Sequence, residues 1–296
     1  MDFCESIQGF LSDSGLSSTV GTYDGYKVIY TDASSIVLPV YISSPTPRHA
    51  QEEATKIKGT ADAITAQTGG YPLIITEDRW KSQQKMMQAR LLAHLRIFVQ
   101  IYARNCEIRK IDKATAAEFL AANHSYGDAS CRYRYGLFLK RYTGHTSDLR
   151  TARPQVGDLV AVATFSNGRK WVKGDKTIRS YEWTRYASLP GVRLSGGMGR
   201  LLKAFIEDVK PDDIMTYADL EWSEGKVYET LGFGLEGQKD PVMFSIDNDT
   251  WKRMVVKYHP DSGQHSATDI QSTPSTQRFL QNFGSNKYRL KLTDYQ

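Results

Sequence analysis

The chain has 296 residues, 40% of them apolar and 24% charged, with a formal net charge of +5. That length suits one large domain or two modest ones with a real core, and no apolar run approaches the length of a bilayer span. Three cysteines, Cys4, Cys106 and Cys131, are too few and too scattered for a disulfide frame or a zinc site.

The mild positive charge permits a polyanionic partner without demanding one. The opening segment, MDFCESIQGFLSDSG, has no basic stretch ahead of an apolar one, so no signal peptide is expected. Sparse cysteines fit a reducing cytoplasm.

The first hundred residues read as a small α/β lobe. YKVIYTDASSIVLPVYIS suggests two short strands around a turn at Asp32–Ser35. RHAQEEATKIKGTADAITAQT is helical, softly broken at Gly59 and ended by Gly69-Gly70. YPLIITED reads as a buried strand. RWKSQQKMMQARLLAHLRIF follows as one helix, with Met87, Leu91, Leu92 and Leu95 on its apolar stripe.

A second unit, residues 101–296, reads as strand CEIRKID, helix KATAAEFLAANH, strand YRYGLFLK, polar loop TGHTSDLRTARPQVG, and strands DLVAVATFS and RSYEWTRYASLPG. The stretch VRLSGGMGRLLKAFI then opens a helix. Strand DIMTYADLEW, short helix SEGKVYETLGF and late strands PVMFSID and KYRLKL complete the order, with the polar HPDSGQHSATDIQSTPSTQ between the last two. The unit's order is β-α-β-β-β-α-β-α-β, plus a last strand after an excursion, and no repeat is visible.

The glycines before the second unit's central helix pose a chemical question. The first N–H groups of a helix lack intrahelical partners, and the helix dipole adds partial positive charge there. Glycine lets a phosphate approach such a terminus closely. The stretch is neither a nucleotide-triphosphate loop nor a dinucleotide fingerprint. A tight strand-to-helix turn with no ligand is the competing reading.

Arg193-x-x-Gly196-x-Met198, followed by Arg200-Leu201-Leu202, resembles the pyrophosphate-binding loop of the GNAT acyltransferases, although Met198 stands where that family carries a small residue. The strand order resembles GNAT order too. The resemblance implies a mixed central sheet with flanking helices and acetyl-CoA, or another acyl-CoA, held by Arg193, Ser195, Gly196, Gly197, Met198, Gly199 and Arg200.

A further resemblance covers Ile101–Gln296. YARNCEIRKIDKATAAEFLAANHSYG, the stretch from YEWTRY to ETLGF, and QNFGSNKYRLKL are similar to a phage-borne group of GNAT-like proteins of the Mom DNA-modification type. Ala218, Asp219, Gly225 and Tyr228 carry the shared pattern. It implies transfer of an acyl-derived group to an amine of a nucleic-acid base, DNA rather than RNA, with no membrane partner. An N-acetyltransferase of a small molecule or protein amine, and a non-catalytic nucleic-acid-binding accessory, are the alternatives.

Acyl transfer needs a base for the amine and an acid for the departing thiolate. Tyr228 is the candidate acid by resemblance, or else a packed tyrosine. Glu182, on the strand before the glycine loop, is a candidate base, or else an ion-pair partner of Arg185. Asp219 ends a strand at the edge where ligands gather in open α/β sheets. His124 is a candidate base or orienting group, or else a histidine favoured by a helix C-terminus. A His–Asp pair has too few companions for a metal site.

Arg132 and Arg134 alternate with Tyr133 and Tyr135, so one face of that strand is basic and the other aromatic. Arg169, Lys170, Trp171, Lys173 and Lys176 interleave charge with an indole, as a clamp on a nucleic-acid backbone does. A solvated face and a hairpin tip explain the same residues. The N-terminal lobe resembles a restriction-nuclease-type lobe around its strand-Glu-Asp-x-Trp-helix pattern. Asp32, Glu77 and Asp78 do not complete the carboxylate–lysine set that a metal-dependent nuclease needs. A scaffolding lobe is the expectation.

Overall fold

The computed structural model describes residues 2–31, 35–143, 153–223, 225–258 and 277–295. Residues 32–34 of the expected turn at Asp32–Ser35, most of the polar loop from Thr143 and nearly all of the segment from His259 lie outside them. The chain forms two compact units. One is Met1–Leu95 with Asp219–Trp222 and Lys239–Ser285; the other is Arg96–Ala218 with Ser223–Gln238 and Asn286–Gln296.

In the first unit, α1 (Phe3–Asp13) buries Phe3, Cys4, Ile7 and Leu11. Strands β1 (Ser18–Tyr23) and β2 (Tyr26–Thr31) form a hairpin. Its two-residue loop, Asp24-Gly25, has φ of 49° and 81°, the mirror-image turn that matches strand twist. β3 (Ile36–Val40) pairs antiparallel with β2 and parallel with β4 (Leu73–Thr76). The parallel step needs a crossover, which α2 (Pro47–Thr68) supplies.

Thr46 caps α2 by accepting from the His49 amide, Pro47 opens it, and Gly69 ends it at φ 74°. The helix runs unbroken through Gly59. One glycine costs a helix about 1 kcal/mol, and the buried Ile57, Ala61 and Ile64 on either side hold this one together. The helix expected over residues 79–98 is two helices, α3 (Glu77–Ser82) and α4 (Gln84–His94), parted at Gln83 with φ −131° and ψ 39°. Met87 and Leu91 are buried; Leu92 is only half-buried.

The second unit contains β5 (Val99–Tyr102), a 3-10 turn at Ala103–Asn105, β6 (Cys106–Lys110), α5 (Lys113–Asn123), β7 (Tyr133–Leu139) and β8 (Leu159–Phe165). It continues through β9 (Arg169–Lys173), β10 (Lys176–Ser188), β11 (Val192–Ser195), α6 (Gly197–Val209), β12 (Asp213–Asp219), α7 (Lys226–Thr230) and β13 (Gly234–Lys239). The chain then builds a three-stranded sheet from β14 (Met243–Ile246), β15 (Arg253–Val256) and β16 (Arg278–Gln281), and β17 (Ser285–Lys291) follows. PVMFSID, expected in the second unit, is therefore β14 of the first unit's sheet.

The central sheet runs β13-β17-β12-β10-β8-β7-β6, with β9 paired to β10. Its β6, β7, β8 and β10 are antiparallel, and β10 pairs parallel with β12. The mixed α/β sheet with flanking helices is thus present. On one face Phe205 of α6 stacks on Phe165 at 3.9 Å, and Tyr133, Tyr135 and Tyr181 meet it edge-on. On the other, Ala116, Phe119 and Leu120 of α5 pack over Val162 and Ala187.

Candidate active site

The sheet opens between its two parallel strands. β10 and β12 share a ladder only over Ser180–Glu182 and Asp213–Met215. One step further, the Thr216 hydroxyl donates to the Trp183 carbonyl at 3.1 Å, a side chain standing where a backbone bond would continue. β10 runs on to Ser188, paired on its other edge with β8. Its edge towards β12 is left without a partner strand among the described residues. Unpaired backbone groups on such an edge can pair with an extended ligand.

A bulge between Trp183 and Arg185 adds a residue to β10 opposite β8. Bulges re-aim side chains. Strict alternation from Trp183 would send Tyr186 to the α5 face; with the extra residue, Tyr181, Trp183 and Tyr186 all join the α6 side, and Ala187 packs under α5. Glu182 lies between Tyr181 and Trp183 and therefore faces α5.

The α6 helix begins beside this open edge. Gly196, its N-cap, has φ 77°, a left-handed conformation that glycine adopts without strain. Gly197 is buried, and a β-carbon there would lie 2.7 Å from Leu194 Cδ2 and 2.8 Å from the Tyr186 hydroxyl. The glycines thus have backbone and packing reasons of their own. They also leave the first α6 amides clear of side chains, as an anion at a helix start requires. Ser195 Oγ accepts from Gln100 Nε2 at 2.7 Å. Met198 is half-buried and packs against the core.

Neither arginine of the loop points its charge freely at that turn. Arg200 donates to the Ala103 carbonyl. The Arg193 guanidinium lies 5.2 Å from the centre of the Phe98 ring. Any phosphate bound here would be held by backbone amides first.

Tyr228, on α7, reaches the same place. Its ring lies edge-on to Trp183 at 6.0 Å and contacts Phe233 and Tyr288. Burial raises the pKa of Tyr228, and burial, with Cys106 and Tyr228 adding to it, raises that of Tyr186 well above a free phenol. Both stay protonated at neutral pH, as a proton donor must.

On the α5 face the loop after α5 folds back onto β10. Arg185 donates to the Gly127 carbonyl at 3.1 Å and to the Thr184 carbonyl at 2.8 Å. Burial lowers its pKa, and Glu182 and Asp128 oppose that shift. His124 accepts from the Tyr126 amide at its Nδ1, 3.1 Å away, and its carbonyl accepts from Gly127. His124, Glu182 and Arg185 therefore belong to one neighbourhood. Arg134 donates to the Cys131 carbonyl at 2.7 Å, while its buried Nε and the buried Oδ1 of Asp128 have no hydrogen-bond partner among the described residues. Arg132 is exposed. The aromatic face of that strand is core: Tyr133 and Tyr135 pack on Phe205.

Asp219 stands apart in kind. It belongs to the first unit, where it pairs with Arg79 at 3.5 Å and its Oδ1 accepts from the Glu221 amide. Around it lies a buried charge network: Arg253 donates to Asp78 at 2.6 Å and to both oxygens of Glu221 at 2.7 Å. Glu77 accepts from the Ile42 amide. Glu77 and Asp78 are thus each engaged within the first unit, and Asp32 lies outside the described residues. Among the described residues no group of three or more His, Cys, Asp or Glu is placed to hold a metal. A cavity of about 790 Å³ in the first unit, beside Asp240 and Lys257, carries no comparable set.

The basic hairpin β9–β10 turns at Gly174-Asp175. Trp171 is 52% exposed and Val172 78%, and Arg169, Lys170 and Lys176 are exposed with them; the side chain of Lys173 lies outside the described residues. Trp171 faces Ile178, eight residues before Tyr186. The opening starts at Trp183, five residues past Ile178, so at about 3.3 Å per residue the Trp171 end of the hairpin lies about 17 Å along the strand from it.

Sequence reasoning missed Tyr186 and Thr216. Tyr186 sits in the wrong parity for the α6 face unless the bulge is known.

Comparison with solved structures gives matches at low identity. The NatC complex bound to Gag peptide and CoA is 13% identical over 64% of this chain and 99% of that one, with a TM-score of 0.35. A Bacillus subtilis acetyltransferase in complex with CoA is 14% identical over 64% and 99%, also at 0.35. Eis1 from Mycobacterium abscessus is 16% identical over 48% of this chain and 33% of that one, at 0.32. No family model matches the chain, and no curated protein matches it. At these values its function has to be argued from its own residues.

Among the described residues no helix is long and apolar enough to cross a membrane.

Proposed function

We propose that the second unit is an acyltransferase of the GNAT kind, moving an acyl group from a CoA thioester to an amine. The observation that carries this is the opening between β10 and β12, with two protonated phenols on its α6 face and a carboxylate on its α5 face. A thioester lying in the sheet plane is then approached from both sides. The open edge of β10 offers amide pairing to the donor's extended arm. The α6 amides from Gly197 to Gly199, with Ser195 and Gly196 forming the turn, suit its pyrophosphate. Arg193 and Arg200 shape the loop rather than neutralise the phosphates.

Glu182, directly or through water, takes the proton of the amine. The amine's lone pair forms the C–N bond while the C–S bond breaks, and a phenol returns a proton to the sulfur. His124 orients the loop that carries Asp128 towards the acceptor. Asp219 is tied into the first unit's charge network, so its part is to fix the chain between β12 and α7.

The acceptor we favour is an amine of a nucleic-acid base, DNA before RNA, as the Mom-type resemblance implies. The net charge of +5, exposed Arg132 and the β9–β10 hairpin support it. At about 17 Å along β10 from the opening, Arg169, Lys170, Trp171 and Lys176 would hold flanking backbone, not the reacting base. A base in a duplex must be flipped out to react.

The test is incubation with acetyl-CoA and single-stranded DNA, duplex DNA or RNA, following thiol release and the masses of digested nucleosides. Thiol release with a nucleoside carrying the acyl group supports the reading. Thiol release only with small amines or protein favours an ordinary N-acetyltransferase. Nucleic-acid binding without thiol release or a new mass favours a binding accessory.

A further inference from the structure

We infer that the β9–β10 hairpin is a stacking arm for single-stranded nucleic acid. Trp171 takes the face of an unpaired base, and the cations around it track the phosphates. This rests on the nucleic-acid reading of the acceptor and names the form in which that partner is bound, unpaired rather than duplex.

The hairpin extends past the end of β8. β10 pairs with β8 from Trp183 to Ser188, whereas its first five residues, Lys176–Ser180, pair with β9. β9 has no second neighbour strand among the described residues. Residues directly opposite in such a pair share a face, and alternate residues of one strand do too. Trp171 lies opposite Ile178 and Arg169 opposite Ser180, so these four and Lys176 form one face. Ile178 and Ser180 are 3% and 4% exposed, but Trp171 is 52% exposed. The indole therefore rests at the margin of a packed surface with half of it in water. From Arg169 to Arg179 the sequence holds five cations and one acid, Asp175. Lys176 donates to the Asp294 carbonyl at 2.7 Å, which sets no formal charge against its own. A polyanion complements this arm.

The placement of the apolar residues chooses among polyanions. A membrane-surface anchor gathers its apolar side chains on one face, where they enter the bilayer boundary together. Trp171 and Val172 are consecutive in a strand and face opposite ways, and the turn beyond them, Gly174-Asp175, carries the acid. A clamp on duplex backbone needs cations alone, because base faces in a duplex are already stacked on one another. An exposed indole with Arg169 two residues away, about 7 Å along the strand, matches single-strand binding, where bases stack on aromatic rings and cations follow the backbone. The Trp171 end lies about 17 Å along β10 from the opening. A strand held there arrives unpaired, so its target base enters the opening without the cost of leaving a duplex.

The experiment is fluorescence anisotropy of the full chain at two salt concentrations with three labelled probes. They are a single-stranded oligonucleotide, its duplex, and an abasic strand of the same length, which keeps the phosphates and lacks the bases. Stacking on an aromatic side chain is worth about tenfold in affinity per base. Wild type is expected to bind the single strand about tenfold more tightly than the abasic strand. Trp171→Ala should lose that factor for the single strand and nothing for the abasic strand, and Trp171→Phe should keep most of it. Arg169→Ala should weaken both strands alike and flatten the salt dependence. Trp171 is exposed, so these variants should melt as wild type does. A single strand bound equally by wild type and Trp171→Ala overturns the stacking arm and leaves the nucleic-acid reading standing. So does a Trp171→Ala loss as large for duplex as for single strand. Trp171-dependent binding to phosphatidylserine vesicles, with no such dependence on any strand, assigns the hairpin to a membrane surface and overturns the arm as well. Wild type that binds none of the three probes sinks the nucleic-acid reading, and the arm with it.

Discussion

Replacing Arg253 with methionine should be among the most damaging single changes to the first unit. Arg253 is 10% exposed and sits between two carboxylates that are 1% and 3% exposed. It donates to Asp78 at 2.6 and 3.2 Å, to Glu221 at 2.7 Å twice, and to Thr76 at 3.0 Å. Methionine fills similar volume but leaves Asp78 and Glu221 buried without that partner. Arg79 is the remaining guanidinium in salt-bridge range of Glu221, at 3.5 Å. Breaking a buried pair from one side costs about 3–5 kcal/mol. Against a typical total of about 5–15 kcal/mol, that is a third or more of the stability. Urea unfolding, read by hydrogen exchange at the β4 amides, measures it within the right unit. The double variant Arg253→Met, Glu221→Gln should cost less than the sum of the singles, by about 0.5–3 kcal/mol. A loss below about 1 kcal/mol for Arg253→Met, with additive doubles, would refute the idea that these charges depend on one another.

Other expectations follow from the same contacts. Burial alone would raise the Glu221 pKa, but Arg253 and Arg79 outweigh it and hold it well below the ordinary 4.5. A carboxylate depressed on folding stabilises above its unfolded pKa, so the first unit should weaken as pH falls below about 4.5, and Glu221→Gln should flatten that acid limb. In the second unit, hydrogen bonding from Arg289 takes Glu236 down to about 2. Its contribution is likewise lost on acidification, and Arg289→Met should shift the acid transition of that unit upward in pH. Gly197→Ala drives a β-carbon into Leu194 and Tyr186 and should cost about 1–3 kcal/mol, read as a lower melting temperature. Trp171→Ala with Lys170→Ala should weaken nucleic-acid binding and flatten its salt dependence, without changing CoA affinity, as measured by fluorescence anisotropy.

The sequence made the central sheet legible where strands are long and apolar on alternate residues, as in DLVAVATFS, and where caps are explicit, as at Asp112, which accepts from the Thr115 amide to open α5. It hid elements whose identity depends on distant partners. β5 and β11 are four residues each and exist because they pair with one another. β13 is exposed throughout, so no apolar pattern marks it. PVMFSID reads as a strand, but which sheet it joins is set by β15 and β16, far along the chain.

The site was legible in part for the same reason. Gly196 and Gly197 announce the start of α6, and Tyr228 and Glu182 stand near it. The loop resemblance gives Arg193 and Arg200 to a pyrophosphate, and the shared pattern and strand edge make Asp219 a site candidate, yet each is engaged by a neighbour that lies far off in sequence: Phe98, the Ala103 carbonyl and Arg79. Tyr186 was invisible because a one-residue bulge decides which face it occupies.

The most direct test of the acyl-CoA site is thermal unfolding of the chain with and without CoA and acetyl-CoA. A ligand at 100 times its dissociation constant adds about 2.7 kcal/mol, a plain rise in melting temperature. The account predicts that rise for both ligands, and its loss in Gly196→Asp, where a side chain and a negative charge enter the φ 77° turn. An unchanged melting temperature at millimolar ligand would contradict it.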